Sequence, residues 1–422
     1  MDPRLLKYYN RELQFMREMG GEFANEFPKI AGRLGLEGFD CADPYVERLL
    51  EGFAFLASRI QLKLDAEFPR FTQHLLEAVY PHYLSPTPSM AVVKFQPDLS
   101  EGGLAAGYKV PRGTALRSLL GKGEQTSCEY RTAQDTLLWP LELEEAGYLT
   151  SFAGLGLPDL PGAKAAIRLR LRTTAGLSFE KLALERLPLY LQGVDELPMQ
   201  LYEQFVGNAI ATVVRPTSRP APWQEIIQRT PVRPLGFDDR EALLPLGPRS
   251  FQGYRLLHEY FAFPSRYLFV ELTGLGPAVR RCPHDEIEIV ILLKQTNPLL
   301  EKVLNVSNFS LFCAPAINLF PKQCDRIHLS NKLSEHHVVP DRTRPLDFEV
   351  YSLANVTGYG TGMEREQEFL SFYASNSSMA QHPAQAFYTS RREPRLLSSQ
   401  QRRTGPRSSY VGSEVFVSLV DA

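Results

Sequence analysis

A chain of 422 residues, 44% hydrophobic and 22% charged, holds apolar material for more than one core, and its net charge of −2 excludes a strong pull toward nucleic acid or an acidic membrane. Its 32 prolines against 29 glycines predict many loops, short strands and element ends. The odd set Cys41, Cys128, Cys282, Cys313 and Cys324 argues against a secreted disulfide framework, no run approaches the roughly 18 apolar residues of a membrane span, and the start MDPRLLKYYNRELQ has no apolar signal core. A soluble, cytoplasmic, multidomain protein is the expectation.

Residues 1–85 read as a helical region. Asp2-Pro3 is a cap with proline in the first turn, and Leu6, Tyr9, Leu13 and Met16 recur at three- and four-residue steps. Gly20-Gly21 predicts a stop. A short second helix over Glu22–Leu34 should end at Gly35. Asp43-Pro44 then opens the strongest periodic segment: Val46, Leu49, Leu50, Phe53, Leu56, Ala57, Ile60 and Leu64. Pro69 predicts a kink or restart, after which Phe71, Leu75, Leu76 and Val79 continue to Tyr80-Pro81. That stripe is either an ordinary core-facing surface or a coiled-coil-like seam shared with other chains.

The proline-rich stretch from His82 to Ser89 marks a boundary. Beyond it, 86–220 reads as a β-rich domain, with strands near Ala91–Phe95, Val110–Thr114, Cys128–Thr132, Thr136–Leu143 and Ala165–Thr173. In the last of these, Arg168, Arg170 and Arg172 alternate with apolar residues, which predicts either a solvated sheet face or, less simply, an anion site. Helices are expected at Val194–Val206, Phe237–Leu244 and Phe251–Phe261. A second boundary falls near 215–235, where prolines crowd, so 221–373 reads as a second α+β or β-rich domain with strands at Tyr267–Leu272, Ile287–Leu293 and Phe348–Leu353. Residues 374–410, Ser-rich and carrying Arg391, Arg392, Arg395, Arg402, Arg403 and Arg407, read as a mobile surface loop. Residues 411–422 start a C-terminal element expected to belong to a longer polypeptide. The fold class is α+β and multidomain: an N-terminal helical bundle segment followed by β-rich wing domains with short helices.

Catalytic signatures come only as near misses. Gly121-Lys122 lacks phosphate-loop spacing, and His258-Glu259 has Ala262 where a zinc protease needs its second histidine. Cys282 with His284, and Cys324 with His328, do not have standard zinc spacing, and His336-His337 beside Glu335 and Asp341 is a weak acid–base candidate. No enzyme, cofactor or metal is expected. A metal-dependent hydrolase built from the histidines and cysteines of 258–341 is the competing class.

Four N-terminal blocks, Tyr8–Phe23, Phe27–Leu34, Asp43–Ile60 and Lys63–Pro69, and then Tyr80–Ser89, resemble the TssF (ImpG/VasA) family of type VI secretion baseplate subunits. So do Arg233–Phe237, Tyr254–Tyr260 with Phe263-Pro264, and Phe312–Phe320. Val110–Thr114 through Tyr130–Thr132 resembles, more weakly, the β-rich domain of contractile-phage wedge proteins, so a wedge protein of a phage-like contractile particle is the alternative. The resemblance implies a structural subunit: two TssF copies joined to one TssG through shared helices, the wedge binding TssK and TssE. Six such wedges surround the VgrG spike in the cytoplasm, docked at the inner-membrane complex, and start tube and sheath assembly. The three-four spacing nominates Leu6, Tyr9, Leu13, Val46, Leu50, Phe53, Leu56 and Ile60 as partner-binding residues, several of which could instead face the chain's own core.

Overall fold

The computed structural model describes all residues except 1–2, 37–40, 99–101, 122–124, 153–155, 158–159, 175, 246, 248–249, 331, 361–365, 373–385, 396–409, 411 and 421–422; over 66–70 it describes the backbone alone. The chain forms two compact units, one of residues 1–84 with 371–383, the other of residues 85–370 with 384–422. The class is α+β.

The first unit is built on α1 (Pro3–Glu26), α2 (Pro28–Leu34) and α3 (Pro44–Val79). α3 starts where Asp43 accepts a hydrogen bond from the Tyr45 N–H and Pro44 fills the first turn, where its missing N–H costs nothing. α2 ends at Gly35, left-handed at φ 65°, a conformation open to glycine because it has no Cβ. Two expected breaks are absent. α1 runs through Gly20-Gly21, and a Cβ at either position would meet nothing closer than ordinary contact, so neither glycine ends the helix. α3 stays helical through Pro69, since one missing hydrogen bond is small against a helix of 36 residues. α1 and α3 pack antiparallel, tied by Tyr8 to Asp65 and Arg17 to Glu47, with small Ala54 and Ser58 buried between them.

The second unit carries, in chain order, β1 (Met90–Lys94), β2 (Tyr108–Val110), β3 (Ala115–Arg117), β4 (Glu129–Thr132), β5 (Thr136–Leu138), β6 (Leu141–Leu149), β7 (Ala165–Thr173), β8 (Leu187–Leu191), α4 (Leu197–Tyr202), β9 (Ala209–Arg215), β10 (Glu225–Ile227), β11 (Val232–Pro234), α5 (Gln252–Ala262), β12 (Phe269–Leu272), α6 (Gly276–Arg280), β13 (Glu286–Leu293), α7 (Pro298–Val303), β14 (Phe309–Ser310), β15 (Cys313–Ile317), β16 (His336–His337), β17 (Val356–Tyr359), β18 (Glu366–Ser371), β19 (Ala386–Pro394) and β20 (Ser413–Val420). One main sheet runs β10-β9-β13-β7-β6 and another β11-β12-β8-β14. The alternate residues Ile167, Leu169 and Leu171 of β7 and Ile287, Ile289 and Ile291 of β13 share one core with Leu187, Leu189 and Leu191 of β8 and Val270 and Leu272 of β12. This is the period-two pattern of a packed sheet pair. The core spans Leu104 to Phe312, and β10 pairs with β9 across the expected 220/221 boundary, so both sides of that boundary share one interior.

Four local expectations change. Val110–Thr114 is not a strand: Val110 ends β2 and residues 111–114 turn into β3. Phe237–Leu244 forms only a short 3-10 turn at Asp239–Glu241. Phe348–Leu353 forms no strand, because arginine side chains occupy its carbonyls: Arg395 donates to Phe348 O at 2.9 Å, and Arg392 donates to Val350 O at 2.7 Å and Tyr351 O at 2.8 Å. Those arginines come from the segment expected to be a mobile loop. Ala386–Pro394 of that segment is instead β19, paired along its length with β20 in the sheet β16-β20-β19-β18-β17. Arg402, Arg403 and Arg407 lie outside the described residues.

Candidate interaction surfaces

On α3 the residues toward α1 are Leu50, Ala54, Ala57 and Ser58, all buried or half-buried. Beside them runs an exposed row: Tyr45, Leu49, Phe53, Leu56, Ile60 and Leu64, then Phe71 and Leu75. Steps of three, four and seven keep this row within about a third of the helix circumference over roughly 45 Å of its length. One neighbouring helix therefore covers only part of the apolar surface. α1 adds Phe15, Met19 and Phe23, the cap of α2 adds Phe27, and α2 adds Ile30, also exposed. An exposed apolar row of this length on a single helix is the kind of surface that a protein partner covers.

α5 in the second unit is turned inside out. Its two charged side chains, Arg255 and Glu259, are 1% and 0% exposed, while Leu257 and Phe261 are 59% and 80% exposed. Glu259 accepts from the Leu243 and Leu244 N–H groups, both at 3.0 Å, and from Arg255 at 3.2 Å, so its burial is satisfied. Phe251, Tyr254 and Tyr260 extend the exposed aromatic surface.

The arginine face of β7 is an acid–base lattice. Arg168 pairs with Glu145, Arg170 with Glu286, and Arg172 with Glu144 at 2.9 Å. Alongside, Arg215 meets Glu288 at 2.6 Å and Arg219 meets it at 2.8 Å. Each of these guanidiniums contacts a carboxylate, Arg215 and Arg219 sharing Glu288, so the face reads as an internal ion-pair network rather than an open anion site. The hydrogen bond from Arg170 holds the Glu286 carboxyl below its ordinary value.

The former metal and acid–base candidates are dispersed. The buried Cys282 thiol faces the main-chain oxygens of His284 at 3.8 Å and Glu286 at 3.5 Å, and burial pushes its pKa up. His337 stacks on Phe416 with ring centres 4.9 Å apart. Among the described residues no three His, Cys, Asp or Glu side chains come together as metal ligands would, and no helix is long and apolar enough to cross a membrane.

Residues 1–422 match the family model for the type VI secretion system protein TssF. The chain belongs to the TssF family. It is 57% identical to the type VI secretion system component TssF1 of Pseudomonas aeruginosa over 425 residues, all of this chain and 68% of that protein. It is also similar to a chain of the type VI secretion system TssK-TssF-TssG baseplate subcomplex solved by cryo-electron microscopy, with a TM-score of 0.67 and 26% identity over 88% of this chain and 65% of that one. A structure of the baseplate complex from the type VI secretion system aligns with 99% of this chain and 71% of its own at 24% identity and a TM-score of 0.49. The chain thus spans about two thirds of the length of TssF1 and of the matched chain of that subcomplex.

The nominated residues of this TssF-family chain fall into two groups. Leu6, Phe53, Leu56 and Ile60 are exposed; Tyr9, Leu13, Val46 and Leu50 are half-buried, on the side where α1 and α3 meet. Tyr45, Leu49, Leu64, Phe71 and Leu75 belong to the exposed row but were not among the nominated contacts, although the same spacing contains them. The α5 face was missed for a different reason: its periodicity is plain, but periodicity is silent about which face turns inward.

Proposed function

We propose that this chain is a non-catalytic structural subunit of a type VI secretion baseplate wedge, and that its N-terminal helices are its principal joint with other subunits. The exposed row from Tyr45 to Leu75 carries this reading. A rigid helix with an apolar face wider than its own neighbour covers is suited to complete a bundle with helices of a TssG subunit and a second TssF copy, two to one. The solved TssK-TssF-TssG baseplate subcomplex supports TssG and TssK as partners. TssE, the VgrG spike and the tube and sheath complete the proposed surroundings, with six wedges in the cytoplasm docked at the inner-membrane complex. The chain's contribution is preorganised surface, which lowers the ordering cost of assembly. Co-production with the neighbouring subunits followed by mass measurement of the complex tests it: two copies of this chain per TssG support the wedge, and a chain recovered alone overturns it.

A further inference from the structure

β1 lies at the edge of the sheet β1-β15-β4-β3. It pairs antiparallel with β15, Val92 opposite Pro315 and Lys94 opposite Cys313. The hydrogen-bonding phase follows from the ends of the pair. Phe95 N donates to Phe312 O at 2.9 Å and Asn318 N to Ser89 O at 2.8 Å. Alternation then gives Ala91 and Val93 the bonds to β15 and turns the main-chain groups of Met90, Val92 and Lys94 outward. Pro315, which has no N–H, sits opposite Val92, where β1 asks for none. Among the described residues nothing meets the outward groups of Val92 and Lys94.

Next to this edge is a groove of ≈ 310 Å³ lined by Val92, Lys94, Tyr190, Phe263, Ser310 and Cys313. Its lining mixes aromatic rings with the polar side chains of Gln192, Ser265 and Ser310. Lys94 is exposed and forms no ion pair among the described residues. Side chains on one face of a strand recur every second residue, and paired residues of neighbouring strands share a face. A strand laid against β1 would therefore put side chains beside Val92 and Lys94, two residues apart, into and along this groove.

We propose that the free edge of β1 takes an extended strand from a partner protein, carrying an apolar side chain opposite Val92 and, two residues away, a carboxylate opposite Lys94. Main-chain bonds to β1 supply affinity and the groove supplies selection, the general mode of strand addition at an open edge. A second copy of β1 is the poorer occupant, because Met90–Lys94 carries no acid to place opposite Lys94. This proposal rests on the baseplate reading and adds a second joint, in the second unit, to the helical one.

The test is amide hydrogen exchange in the chain alone and in the complex co-produced with TssG- and TssK-type subunits, together with affinity measurements on Val92→Pro and Lys94→Glu. Proline at 92 removes an outward N–H only, and edge strands tolerate it. The expected result is fast exchange at Val92 and Lys94 in the free chain and at least about tenfold slowing in the complex. Both variants should bind at least about tenfold more weakly, while the Val93 amide, bonded to β15, stays protected and so reports an intact sheet. Unchanged exchange at Val92 and Lys94 in an assembled complex, or wild-type affinity of Val92→Pro, overturns this proposal and leaves the helical joint standing. Protection that grows with the chain's own concentration, without partners, overturns the choice of occupant in favour of self-pairing. A wild-type chain that recovers neither partner overturns this proposal and the baseplate reading together.

Discussion

Arg255 and Glu259 stand one turn apart on α5 and form a buried ion pair, Nη1 of Arg255 lying 3.2 Å from Oε2 of Glu259. Glu259 also caps the Leu243 and Leu244 N–H groups, and Arg255 reaches Asp239 at 3.5 Å. The pair anchors the helix by its polar side and leaves its aromatic side to solvent. Removing one member of a buried pair costs up to about 3–5 kcal/mol, and here it takes from Arg255 its nearer carboxylate and leaves only Asp239 at 3.5 Å. Glu259→Gln should therefore lower unfolding free energy in urea by that order. Phe261→Glu, on the exposed face, should change it by no more than about 0.5 kcal/mol. Equal losses from the two variants would contradict the inverted orientation of α5.

Thiol reactivity should follow burial. Burial pushes the Cys313 thiol up to about 11 and raises those of Cys282 and Cys324, whereas Cys128 is exposed. Only thiolate attacks a disulfide reagent, so at pH 8 Cys313 offers on the order of a thousandth of its population. Labelling with a chromogenic disulfide followed by peptide mapping should find Cys128 modified first and Cys282 and Cys313 last, the latter two reacting only as the second unit unfolds. Early modification of Cys282 would contradict its packing.

Two tyrosines set an alkaline limit. Burial, with Glu259 nearby, pushes the Tyr267 hydroxyl to about 12, and burial with hydrogen bonding to Glu349 does the same for Tyr410. A group whose pKa is raised in the folded state stabilises that state fully below the unfolded value and loses this contribution as pH rises through the folded one. The window here runs from the ordinary tyrosine value of 10.0 to about 12. At the acid end the sign reverses: Glu286 is held low by Arg170, so its contribution is present above the ordinary carboxylate range and fades as pH falls below it. Urea midpoints against pH should show both shoulders. Salt should blunt the acid one, because the Glu286–Arg170 pair is open to solvent and screened. Tyr410→Phe should shrink the alkaline one.

The helical region was legible because caps and a three-four apolar period act locally: Asp43-Pro44 starts α3 and Gly35 ends α2 with no help from distant residues. Strands were legible where alternation is strict, as in Ala165–Thr173, whose bounds match β7. What escaped depends on contacts between residues far apart in the chain. Met90 pairs with Ile317, a register no local pattern encodes. Phe348–Leu353 has the composition of a strand, yet Arg392 and Arg395 take its carbonyls. The Arg-rich run looked mobile for the same reason: Arg391, Arg392 and Arg395 find their partners at Glu335, Val350, Tyr351 and Phe348, and their strand pairs with Ser413–Val420, all beyond the reach of a local pattern. At the candidate site, spacing located the apolar rows of α3 but did not divide the side toward α1 from the side left exposed.

That division can be measured. Phe53 is 59% exposed, whereas Leu50, three residues earlier, is half-buried on the side of α1. A carboxylate at Phe53 meets water in the free chain and pays its desolvation only when another helix covers the row. A carboxylate at Leu50 meets that penalty in the free chain, where burial of a lone charge costs several kcal/mol. Phe53→Asp should leave helix content and the thermal midpoint near wild type while abolishing co-purification with the TssG-type subunit. Leu50→Asp should lose helix content first and binding as a consequence. Circular dichroism on the free chains and pull-down from the same preparations separate the two outcomes. If Phe53→Asp binds as wild type, the exposed row of α3 is not the seam, and the contact residues must be sought among Phe15, Met19 and Phe23 of α1.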